Sequence, residues 1–133
     1  MRTRLIVLLL ALTTGLLAAS GVYGASALPT KSSSAGGVTV KAVPRALSGG
    51  VWEFEIAFDT HSQDLKDDLV KSASLVAGGK TLAPAAWEGD PPGGHHRKGV
   101  LKFNAINPPP QEIELRIARP GEPQARSFRW KLK

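Results

Sequence analysis

The chain has 133 residues, with 17 Lys and Arg against 11 Asp and Glu and no cysteine. The length suits one domain with one core. The missing cysteine excludes thiol catalysis, thiolate metal sites, disulfide stapling and a lipidated amino-terminal cysteine.

Met1-Arg2-Thr3-Arg4 precedes an almost unbroken apolar run from Leu5 to Leu17, and small residues then end in Ala25-Ser26-Ala27. This is the charged, apolar and A-x-A order of a secretory signal peptide over residues 1–27, read by the Sec route. An uncleaved anchor is the alternative, because the apolar stretch extends through Val22 and Tyr23 toward the ~20 residues that span a bilayer. Thr13, Thr14, Gly15, Ser20 and Gly21 interrupt it. Cleavage after Ala27 leaves 106 residues, in which 15 basic residues face 11 acidic ones, so the net charge falls from +6 to +4. The expected location is therefore the periplasm or the extracellular side, with no stable membrane insertion. The remaining basic residues are dispersed, which argues against nucleic acid as a partner and leaves only surface attraction to anionic lipid, polysaccharide or cell wall.

Residues 28–37 are mostly Pro, Thr, Lys, Ser and Gly with little to bury, and read as a flexible linker. A single domain is expected over 38–133. Its strongest element is Val51 to Phe58, where Trp52, Phe54, Ile56 and Phe58 alternate with Glu53 and Glu55, the period of a half-buried strand. Val38 to Ala42, Leu101 to Phe103, Ile113 to Ile117 and Phe128 to Leu132 repeat the pattern, and weaker strands are expected at Ser72 to Val76 and Lys80 to Ala86. Short strands between Gly- and Pro-rich turns predict an all-β, immunoglobulin-like antiparallel sandwich of about seven strands. Thr60 and Gln63 match a capping box, and Leu65 and Leu69 share a helical face, which predicts one short helix near 63–70. On that helix, Asp67 and Asp68 are expected to face water. Trp52 and Trp130 are expected in the core.

Trp87 to Gly99 holds four glycines, two prolines and two of the three histidines, and reads as an ordered loop. Two constellations are candidates there. His61, His95 and His96 with Asp59 or Asp90 carry the imidazole and carboxylate groups that bind Zn(II) or Cu(II); the alternative is that the histidines only hold the loop in shape. The amides of Gly93 and Gly94, with His95, Arg97 and Lys98, form a candidate nest for phosphate, sulfate or carboxylate; the alternative is a solvated basic turn leading into the next strand. Trp87 either packs over Pro91-Pro92 or offers a stacking platform to a ligand. A triad written from Ser62, a histidine and Asp59 or Asp68 lacks a nucleophile turn, so no catalytic residue is assigned and the protein is expected not to be an enzyme.

The Asp59-Thr60-His61-Ser62 segment, the pattern W-x-G-x-P-P-G-G-H-H-R-x-G-x-L-x-F over 87–103, and the closing Phe128-Arg129-Trp130 together resemble a group of small exported bacterial proteins. No activity comes with that resemblance. It implies that the two segments work together. The leading expectation is an exported, non-enzymatic binding or accessory module of the cell envelope, its partner an envelope protein or a small ligand. A periplasmic Cu- or Zn-binding protein is the alternative, and a purely structural envelope domain the third.

Overall fold

The computed structural model describes residues 28–133; the expected signal peptide lies outside the described residues. Nine strands form two antiparallel sheets: β1 (Lys31–Ala35), β2 (Val38–Ala46), β3 (Val51–Thr60), β4 (Ala73–Ala77), β5 (Lys80–Leu82), β6 (Ala86–Gly89), β7 (His96–Asn104), β8 (Glu112–Ile117) and β9 (Arg126–Lys131). One sheet runs β1-β2-β3-β7-β6 and the other β5-β4-β8-β9. Without β1, this is the A-B-E-D sheet facing a C′-C-F-G sheet of an immunoglobulin-like sandwich.

The alternation in the sequence builds the core. Trp52, Phe54, Ile56 and Phe58 of β3 point inward with Val38, Val40 and Ala42 of β2 and Leu101 and Phe103 of β7. Ala73, Leu75, Ile113, Leu115, Ile117, Phe128 and Trp130 meet them from the second sheet. Phe54 ties the sheets together, edge-on to Phe103 at 5.7 Å and tilted against Trp130 at 5.8 Å between ring centroids. Each such side chain, fully buried, contributes about 1.5–3 kcal/mol. The whole core lies between Val38 and Trp130.

Four expectations need correction. The stretch 28–37 is not a tether: Lys31–Ala35 is an edge strand in register with β2, and the Trp130 indole donates to the Pro29 carbonyl at 2.7 Å. The segment 80–86 divides into β5 and β6, which belong to different sheets, around the buried Pro84. The helix, α1 (Leu69–Ser72), is a single turn capped by Asp68 rather than by Thr60. Thr60 and Gln63 instead donate their side chains to the carbonyls of Gly37 and Gly36, pinning the β1–β2 turn. Finally, Asp67 is 4% exposed, whereas Asp68 is exposed as expected. Leu65 and Leu69 do bury, closing the end of the sandwich where the chain crosses from β3 to β4.

Candidate functional site

The glycine- and proline-rich segment is shorter as a loop than its composition suggests. Trp87 to Gly89 completes β6 and His96 to Gly99 begins β7, with Gly89 opposite Gly99, so the turn proper is 90–95. Pro91 and Pro92 have no amide to donate to a ladder, and Gly93 and Gly94 take φ of 117° and 79°, a region other residues rarely occupy. Asp90 closes the base: its amide donates to the Lys98 carbonyl and its carboxylate accepts from the Lys98 amide, both at 2.9 Å. The far side is stitched to the β3–β4 crossing. Gly93 N donates to Leu65 O at 2.7 Å, Leu65 N to Gly94 O at 3.0 Å, and Gly94 N to Asp64 Oδ1 at 2.7 Å.

These bonds overturn the anion nest. Both glycine amides already have partners within the chain, and Arg97 is 3% exposed. The phase of β7 explains this, because residues 97, 99, 101 and 103 share the inward face. Arg97 Nε donates to Asp90 O at 3.1 Å and Nη1 donates to Asp67 O, while the guanidinium lies 5.4 Å from the Trp87 ring centroid. Arg97 thus holds the loop from within. Trp87 packs over the β6–β7 glycines: a Cβ built on Gly99 would stand 2.6 Å from Trp87 Cζ2. Its indole N–H donates to Asp90 O at 3.1 Å, so that one carbonyl serves both Trp87 and Arg97.

The histidines lie outside this framework. Asp59 and His96 are cross-strand partners, and His96 Nδ1 is 2.6 Å from Asp59 Oδ1. Thr60 N donates to His95 O at 2.9 Å, which brings the Asp59-Thr60-His61-Ser62 segment against Gly-Gly-His-His-Arg. All three histidines are exposed. Of the candidate metal set, Asp59 and His96 bond to one another; among the described residues no three His, Asp or Glu side chains gather as a metal-holding group.

Sequence reasoning missed the charged layer beneath. Arg119 donates Nε and Nη2 to the two Asp67 oxygens at 2.9 and 3.0 Å, and Nη1 reaches Glu122 at 3.4 Å. Glu122 also accepts from Arg126 at 2.8 and 2.7 Å. Arg126 then reaches the β1–β2 hairpin, donating to the carbonyls of Ser33, Ala35 and Val38 at 2.7–2.9 Å. Together with Arg97 on the Asp67 carbonyl, three buried guanidinium groups and two carboxylates join the loop, the crossing segment and β1 into one layer. Bonding to Arg126 holds Glu122 below the usual carboxylate range although burial opposes it. For Arg119, burial favours the neutral form, but Asp67 and Glu122 outweigh it and raise the pKa. The signal available was phase: Arg97 and Arg126 occupy inward positions of β7 and β9.

No protein-family profile, no curated protein and no solved structure matches the chain.

Proposed function

We propose that the protein is an exported module of the bacterial cell envelope that binds, without catalysis, a partner or small ligand at the pole formed by Asp59–Asp64 and the 90–95 turn. The observation that carries this reading is the division of labour in the loop. Gly93, Gly94, Arg97, Trp87 and Asp90 are engaged inward, while His61, His95 and His96 stand outward on a base that eight hydrogen bonds fix. A held loop with exposed imidazoles suits recognition, since little ordering remains to be done on binding. Export is tested by fractionating cells that express the full chain and sequencing the amino terminus of the protein recovered from the envelope. The expected first residue is Leu28; full-length protein retained in the cytosol contradicts it.

One observation favours a divalent transition metal as the ligand. Asp59 on Nδ1 of His96 orients the ring and leaves Nε2 facing out, the carboxylate–imidazole arrangement that supports metal ligation elsewhere. Calorimetry with Zn(II) and with Cu(II) tests it. Binding that is lost in His96→Ala and weakened about 10–100-fold in Asp59→Ala supports the metal reading. Absence of heat in the unsubstituted protein removes it and leaves a protein or organic ligand.

A further inference from the structure

The opposite end of the sandwich has a different chemistry. There β1 begins, β9 ends and the β2–β3 hairpin turns, and two adjoining clefts of about 480 and 360 Å³ open to solvent. The larger is lined by Leu28, Leu47, Trp52 and Leu132 beside Lys131 and Lys133. The smaller shares Leu28 and Lys131 and adds Lys31. Val51, at the tip of the hairpin, is 46% exposed. Lys31, Lys131 and Lys133 are exposed, and among the described residues none of them is in an ion pair. The carboxylate lining these clefts is Glu112. The loop pole carries both signs, exposing Asp64, Asp68 and Asp90 beside Lys66, Lys71 and Lys98.

We propose that this apolar, lysine-rimmed pole rests on an anionic membrane surface, with Lys31, Lys131 and Lys133 on lipid phosphates and Leu28, Leu47 and Val51 entering the interface. Two features select this occupant. Positive charge around an apolar patch is what a headgroup layer over hydrocarbon complements. The second is chain order: the almost unbroken apolar run of Leu5 to Leu17 leads to Leu28 at this cleft, so this is the pole next to the membrane until the leader is removed. Because the loop pole lies at the other end of the sandwich, seating this pole on lipid turns the loop away from the membrane. The imidazoles then face the aqueous space. The inference does not depend on which ligand the loop takes, and its test does not involve the histidines.

Residues 28–133 contain both sheets and the entire core, so they serve as the test protein. They are sedimented with vesicles of phosphatidylcholine alone and of phosphatidylcholine with phosphatidylglycerol. Binding to the anionic vesicles only, falling as salt is raised, is expected. Each lysine on an anionic surface changes the partition constant by about fivefold, so K31Q/K131Q/K133Q should lower it by about 100-fold. K66Q/K71Q, on exposed lysines away from the clefts, should stay within about twofold. Equal binding to both vesicles, no loss in the triple variant, an equal loss in K66Q/K71Q, or binding of an anionic polysaccharide without binding of vesicles overturns the proposal. So does a dimer that the triple variant dissociates.

Discussion

Asp67 and Arg119, 52 residues apart in the chain, meet through two parallel hydrogen bonds of 2.9 and 3.0 Å with both side chains almost out of water. The pair joins the crossing from β3 to β4 to the segment after β8. Removing one partner leaves the other charge buried and alone, which costs about 3–5 kcal/mol. Asp67→Ala and Arg119→Ala should each lose about that much in urea unfolding. The double replacement Asp67→Leu with Arg119→Met should lose less than either single change, because no buried charge is then left without its partner. Strictly additive losses would show that the pair does not act as a unit.

Glu122 makes the same layer sensitive to acid. Its carboxyl is held below 4.5 in the folded protein by Arg126 and Arg119. The unfolded chain therefore takes up its proton first, so this contribution is present above that pH and is lost as pH falls through the folded value. Melting temperatures should show Glu122→Gln less stable than the parent at pH 7, with the gap closing as pH falls below the ordinary carboxylate range. A gap that is constant with pH would contradict the assignment.

Gly99 is required by its neighbours. A Cβ there would meet Trp87 Cζ2 at 2.6 Å and, on the adjacent strand, Glu88 O and Gly89 Cα at 2.7 Å. Gly99→Ala should cost about 1–3 kcal/mol, with a changed near-ultraviolet signal from Trp87. Adding Trp87→Ala should not restore stability, because two of the three obstacles are backbone.

Arg97 is a brace and not an anion ligand. Arg97→Ala strips the donor from the buried Asp67 carbonyl, at about 1–3 kcal/mol for a group left without a partner, whereas the Asp90 carbonyl keeps the Trp87 indole. Phosphate should shift the melting temperature equally in the parent and in Arg97→Ala. A phosphate-dependent rise confined to the parent would restore the anion nest.

The strands that alternate large apolar residues were legible because burial repeats every second residue, as in Trp52, Phe54, Ile56 and Phe58. Strand β1, Lys-Ser-Ser-Ser-Ala, was not, since it buries almost nothing and is held by backbone pairing to β2 and by Arg126 from the far end of the chain. The short helix was placed too early because Thr60 and Gln63, which fit a capping box, are taken by the carbonyls of Gly37 and Gly36. At the site, the adjacency of Asp59-Thr60-His61-Ser62 and the histidine pair follows from the β3–β7 register, which no local pattern reveals. Arg97 was misread because charge suggested the surface, whereas its phase with Leu101 and Phe103 placed it inside. Asp67 carried no local sign at all; its partner comes from 52 residues later.

Binding is proposed at the pole where His61, His95 and His96 face outward. Photo-crosslinking in living cells tests it most directly, with a benzophenone side chain placed at His95 or, as the comparison, at Arg116, exposed on the outer face of the second sheet. The account predicts a discrete adduct from position 95 that is absent from position 116 and is reduced by His61→Ala with His96→Ala. The same adduct from both positions, or from position 116 alone, would contradict it.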